Sequence, residues 1–244
     1  MVARGEGRLR AILYLVTSIF EPLVAPLHDL QWMLRSRLSK GPVVHVIGDS
    51  HSKTFRRHKG FIVHHIGAAT AHNLKKRGSA TGSNEKLFHI IDRLPKAANV
   101  LLVFGEIDCR IHAYYQYRKS NEQRTLEEII DLTLRNYGEV IDQIRDRGID
   151  PCILSVAPAT TVGNEYNFPY YATPELRSEI TGAFNDGLEA LCERNGWTYI
   201  NLYPLVSDDR GMRREEYAAD QVHLNGRVVE IVRTQLREKR GLSI

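Results

Sequence analysis

A serine hydroxyl is a weak nucleophile near neutral pH and needs a base within hydrogen-bond reach. Two short segments of this 244-residue chain hold groups that could form such a pair. Gly48-Asp49-Ser50-His51-Ser52 follows an apolar run, and Asp220-Gln221-Val222-His223-Leu224-Asn225 precedes the last amphipathic stretch. At a strand-to-helix turn Ser50 exposes its hydroxyl, and its own N–H can donate to an oxyanion. Histidine suits the role of base, and a carboxylate on its second nitrogen fixes the tautomer and stabilises the imidazolium. Asp220-x-x-His223 presents both groups from one loop. Each segment also has a plainer reading. The first can be turn chemistry with Asp49 or Ser50 as helix cap, and the second a surface loop ahead of a helix.

Other reactive side chains carry less. Ser52 competes with Ser50 as nucleophile, and the turn geometry favours Ser50. Cys109, Cys152 and Cys192 form an odd, scattered set with no CxxC spacing, which argues against a disulfide framework or zinc site and for reduced thiols in a cytosol-like compartment. His64-His65 alternates in and out of a strand, poor geometry for a shared metal. No metal and no organic cofactor is expected.

These residues need elements to position them. Short apolar runs at 42–48, 61–66, 100–104, 152–156 and 198–202 read as buried strands. Helical spacing occurs at 84–94, 126–147, 173–195 and 225–239, with Thr173 as N-cap and Pro174 at the first helical position. Strand-helix alternation predicts an α/β domain with a mainly parallel five-stranded sheet between helical layers, spanning 41–244. In such sheets ligands sit beyond the carboxyl ends of the strands, where both segments fall.

Gly48-Asp49-Ser50 after the first strand and Asp220-x-x-His223 before the last helix, taken together, resemble the SGNH/GDSL hydrolase superfamily. The resemblance covers the chain from about residue 41 and implies a flavodoxin-like three-layer α/β/α fold. It implies Ser50 as nucleophile, His223 as base and then acid, Asp220 as the orienting carboxylate, and Asp49 as a brace of the turn. Gly67, after the second strand, fits the glycine whose N–H enters the oxyanion hole. The third block departs. Where the family has Gly-x-Asn-Asp, this chain has Gly105-Glu106-Ile107-Asp108-Cys109-Arg110. Gly105 and Asp108 align, but Ile107 has no side-chain donor. One missing oxyanion donor costs about 2.7–4 kcal/mol of transition-state stabilisation. Arg110, or Glu106 through a partner, could rebuild the polar side of the pocket. Alternatively, Arg110 makes a salt bridge with Asp108 or Glu106. His51 is read as lining the pocket.

Two aromatic segments, Ile111–Arg118 and Asn164–Tyr171, read as substrate loops, since tyrosine stacks on sugar rings while polar neighbours bond hydroxyls. The variant third block also resembles an SGNH-like branch associated with glycan modification. The expected activity is therefore that of a serine esterase or O-acyltransferase on a small-molecule or glycan ester, with carbohydrate O-acetyl groups foremost. A lipid esterase or thioesterase, or a non-catalytic glycan-binding protein, is the alternative.

Composition agrees with a globular protein: 43% hydrophobic, 25% charged, formal net charge +4. That imbalance gives no argument for nucleic acid as partner. Up to Arg57 there are nine Lys or Arg against four Asp or Glu, so the excess is local. Residues 1–40 read as a basic, amphipathic helical extension broken by Pro22 and Pro26, which could pack on the main domain or contact a membrane surface or partner. Its apolar run, Ala11 to Phe20, falls short of the roughly 20 residues that span a bilayer. The expectation is a cytoplasmic or membrane-associated protein without cleaved signal or transmembrane helix.

Overall fold

Val44–Gly48 is buried at every position, as a strand covered on both faces must be, and β-branched residues suit it. It is an interior strand of the sheet in the computed structural model, which describes Leu34, Leu38, and residues 41–164 and 167–244. The strands are β1 (Val44–Gly48), β2 (Phe61–His65), β3 (Asn99–Val103), β4 (Cys152–Leu154) and β5 (Thr198–Ile200). All pairings are parallel, in the order β2-β1-β3-β4-β5. The helices are α1 (Ser83–Ile91), α2 (Ala113–Lys119), α3 (Leu126–Arg145), α4 (Pro174–Asn195), the single turn α5 (Tyr203–Val206) and α6 (Val228–Arg240). This is a three-layer α/β/α fold.

Alternation along the strands divides the core. Val44, Val46, Leu101, Val103, Cys152 and Leu154 pack with Val228, Val229, Val232 and Leu236 of α6. Each such fully buried aliphatic side chain stabilises by about 1.5–3 kcal/mol. On the other face Tyr137 of α3 meets Phe104 edge-on at 6.1 Å, and Asn185 of α4 bonds the end of β4. The helix starts are locally encoded. Thr125 and Glu128 form a reciprocal capping box at α3, and Thr173 caps α4 ahead of Pro174.

Several boundaries differ from the sequence expectation. β4 stops at Leu154 because Asn185 takes both backbone groups of Val156, the N–H at 2.7 Å and the carbonyl at 3.1 Å. The last helix starts at Val228, since Asn225 instead ties the preceding loop to the Glu216 and Ala218 carbonyls. The segment 111–118 is not a loop. A π-helical turn, Asp108–His112, runs directly into α2. Its buried residues, Asp108, Cys109 and Ala113, leave no apolar stripe to read.

The chain divides into two compact units, Met1–Gly41 and Pro42–Ile244. Within the first, Leu34 and Leu38 are helical and exposed; the rest of the expected extension lies outside the described residues. Among the described residues no helix is long and apolar enough to cross a membrane.

Candidate active site

The strand order reverses between β1 and β3, and the crevice at such a switch point is where α/β sheets hold ligands. Both strands end in glycine-dependent turns. A Cβ on Gly48 would run into the Val103 carbonyl and lie 2.8 Å from Val103 Cβ, so close approach of β1 to β3 demands glycine. Gly105 has φ +112°, and a Cβ there would lie 2.6 Å from Val156 Cγ2.

After Gly48 the buried Asp49 accepts the His51 N–H at 2.9 Å, and Ser50 opens a 3-10 helix, Ser50–Phe55. The Ser52 hydroxyl turns inward and donates to the Asp49 carbonyl at 2.6 Å. That leaves Ser50 as the serine presented at the crevice. Its Oγ lies 2.8 Å from His223 Nε2, while His223 Nδ1 lies 2.8 Å from Asp220 Oδ2. Asp220 also accepts the backbone N–H groups of Val222 and His223 at 2.8 and 2.7 Å. Burial pushes its pKa up, but these N–H groups and the imidazole outweigh it, holding the carboxyl well below the usual carboxylate range. Neither the Ser50 N–H nor that of Gly67 donates to a protein acceptor among the described residues. Gly67 has φ +94°.

Beside this chain of hydrogen bonds lies a buried ionic one. Glu106 accepts from Arg110 Nε at 2.5 Å and Nη2 at 3.3 Å, and its Oε2 also lies 3.5 Å from His51 Nε2. Burial would raise the Glu106 pKa, yet His51 and Arg110 bring it down to about 2. Burial disfavours the His51 cation, but Glu106 and Asp49 reverse the effect and raise its pKa. Asp49 is pushed up to about 6 by burial, and its Oδ2 has no partner. A small cavity of about 20 Å³ is lined by Asp49, His51, Glu106 and Ser155 among others. The His51 ring also packs against that of His223, centroids 4.8 Å apart.

A model of the GDSL-like lipase/acylhydrolase family matches residues 46–230, a span that includes both the serine turn and the His223 loop. The chain belongs to this family. It is a serine ester hydrolase of the SGNH/GDSL type. Its fold is similar to that of a GDSL-like lipase from Bacteroides thetaiotaomicron, at 18% identity over 86% of this chain and 95% of that one, TM-score 0.53. It is also similar to a carbohydrate acetylesterase from Sinorhizobium meliloti, at 13% identity over 82% and 98%, TM-score 0.55. No curated protein matches its sequence closely enough to count as a relative.

Against the family pattern, the third block is spent differently from the sequence expectation. Asp108 is buried and accepts the Ala71 and His72 N–H groups at 2.6 and 3.1 Å, so it anchors the segment following Gly67. Arg110 makes its ion pair with Glu106, not Asp108. His51 is buried, lines the small cavity beside the site and packs against His223. Cys109 is buried, and burial drives its thiol pKa well above the ordinary value, which suppresses the thiolate. Among the described residues no group of three His, Cys, Asp or Glu could hold a metal ion.

Two residues near the site escape simple motif reading. Arg213 donates to the His223 carbonyl at 2.9 Å and steadies that loop. Arg177, 1% exposed, donates to the Thr160 and Val162 carbonyls and to the Tyr171 hydroxyl at 2.7–2.9 Å. It thus pins the loop after β4. A signal existed for Arg177: it shares helical spacing with Ile180, Phe184 and Leu188, a cation on a buried stripe. Arg213 had none. Tyr115 and Tyr170 pair at 5.9 Å, which joins the two aromatic segments, and within the second Phe168 stacks on Tyr171 at 6.1 Å.

Proposed function

We propose that the protein cleaves or transfers small acyl groups, foremost O-acetyl groups of carbohydrates, through Ser50, His223 and Asp220. The single observation that carries this is the unbroken pair of 2.8 Å contacts from Ser50 Oγ through the His223 ring to Asp220. His223 Nε2 takes the Ser50 proton as Oγ attacks the ester carbonyl. Asp220 holds the Nδ1–H and stabilises the imidazolium. The N–H groups of Ser50 and Gly67 receive the oxyanion, and the remaining Arg110 donors assist from the third block, in place of the side chain Ile107 lacks. The imidazolium then protonates the leaving alcohol, and an acyl-Ser50 ester remains. Water or a sugar hydroxyl, deprotonated by His223, attacks that ester and frees Ser50.

The preference for a carbohydrate is supported by the tyrosine segments joined through Tyr115 and Tyr170, whose rings offer flat apolar faces with polar edges. Likeness of fold to a carbohydrate acetylesterase is compatible with it. The test is a substrate series: acetylated sugars against 4-nitrophenyl esters of rising chain length. The reading expects acetyl esters to be the best substrates and turnover to fall with chain length. Rising activity on long-chain esters would instead mark a lipid esterase.

A further inference from the structure

The 3-10 helix that begins at Ser50 runs into a cationic surface that ester chemistry does not require. Lys53, Arg56, Arg57 and Lys59 are all exposed, and no Asp or Glu occurs between Asp49 and Glu85. This stretch folds onto the loop that carries His223. The Thr54 hydroxyl donates to the Leu224 carbonyl at 2.9 Å, and a Cβ on Gly226 would lie 2.9 Å from His58 Nε2. Arg227, also exposed, follows directly, and Arg233 reaches back to the Lys59 carbonyl at 2.6 Å. Elsewhere Lys75, Arg118, Arg145, Arg147 and Arg214 meet carboxylates. Among the described residues Lys53, Arg56, Arg57, Lys59 and Arg227 make no ion pair with an acid.

The two segments that carry these cations, 50–59 and 223–227, are the same two that carry Ser50 and His223. A surface with an excess of positive charge therefore adjoins the reacting groups, even with Asp220 on its rim, and such surfaces concentrate oppositely charged ligands. We propose that this surface holds an anionic glycan chain, so that the esters presented to Ser50 are those of an acidic polysaccharide. The inference rests on the esterase reading above and deepens it. A bilayer fits the surface less well, since peripheral lipid binding adds apolar insertion to charge. Among the described residues the exposed large hydrophobic ones, Leu34, Leu38, Tyr170 and Leu205, lie on neither segment.

The experiment measures acetyl release from acetylated polygalacturonate and from acetylated xylan at low and high salt. Uncharged 4-nitrophenyl acetate serves as reference. The expected result is a kcat/KM about tenfold or more higher on the acidic polymer at low salt, vanishing at high salt. The combined variant Lys53→Ser, Arg56→Ser, Arg57→Asn, Lys59→Ser should lose that preference while 4-nitrophenyl acetate turnover persists. Asn is chosen at position 57 because the backbone there has φ +65°. Should the variant fold poorly, the salt dependence of the unaltered protein still decides. Equal rates on the two polymers at low salt, or a preference that survives in the folded variant, would overturn the proposal. So would tighter binding to equimolar phosphatidylcholine–phosphatidylserine vesicles than to polygalacturonate. If 4-nitrophenyl acetate is not turned over but polygalacturonate binds with salt sensitivity, the esterase reading fails and the anionic-glycan surface stands.

Discussion

Two chains of charged and polar groups run side by side at the carboxyl edge of the sheet, and they are held in opposite ways. Asp220 and His223 sit on the rim, with side chains 58% and 32% exposed, and backbone N–H groups hold the carboxylate. His51, Glu106 and Arg110 lie beneath, with Glu106 only 11% exposed and paired with both of the others. The rim chain can exchange protons with substrate and solvent at small cost. The buried chain cannot, because a charge left unpaired there keeps its full desolvation penalty. One arrangement suits proton transfer, the other fixed geometry. Their contact through the tilted rings of His51 and His223 lets the buried chain position the exposed one.

This contrast predicts that variants of the rim damage chemistry, whereas variants of the buried chain damage folding. The largest effect should come from Ser50→Ala, with 4-nitrophenyl acetate turnover falling by about 10⁶ and the urea midpoint nearly unchanged. Asp220→Asn should cost about 10⁴ in kcat, again with little change in stability, because the imidazole loses its oriented tautomer. A large loss of stability in either variant would break the comparison.

Glu106→Gln should instead lower the unfolding free energy by about 3–5 kcal/mol, read from urea melts, because His51 and Arg110 lose their buried partner. The pH dependence of that deficit has a defined sign. The folded pKa of Glu106, about 2, lies below the ordinary 4.5, so its contribution is complete above 4.5 and fades as pH falls toward 2. The folded pKa of His51 is raised above 6.5, so its share is complete below 6.5 and is lost as pH rises through the folded value. The gap between wild type and variant should therefore peak between these limits. A gap that grew toward pH 2 would contradict the pairing.

Arg110→Ala sharpens the boundary between the two chains. If Arg110 also serves the oxyanion, kcat drops about a hundredfold, about 2.7 kcal/mol, beyond any loss of stability. Unchanged kcat in the folded variant would confine Arg110 to its ion pair. The smallest effect belongs to the exposed Lys75–Glu139 pair, 2.6 Å apart on open surface, where Lys75→Ala should alter stability by less than about 1 kcal/mol.

Much of this was legible in the sequence, for physical reasons that differ by element. The strands could be read because a sheet covered on both faces demands continuous apolar runs, as in Val44–Gly48 and Asn99–Val103. Thr173 and Pro174 announced the start of α4 through capping chemistry that is strictly local. The serine turn and the His223 loop were legible because their chemistry restricts residue type and spacing. The helical character of 108–119 was not, because its inward positions include Asp108 and its outward ones several tyrosines. The His51–Glu106 contact joins residues far apart in sequence and depends on how β1 and β3 lie together, so no local pattern encodes it. Arg110 was open between two carboxylates, and only the geometry of the turn selected Glu106.

The central claim is that His223 activates Ser50 and no other serine. A fluorophosphonate probe tests it most directly, with the labelled residue located by peptide mapping and a heat-denatured sample as control. The account predicts a label on Ser50 alone, lost on denaturation and in His223→Ala. Labelling at Ser52, or no labelling of the folded protein across the neutral pH range, would contradict it.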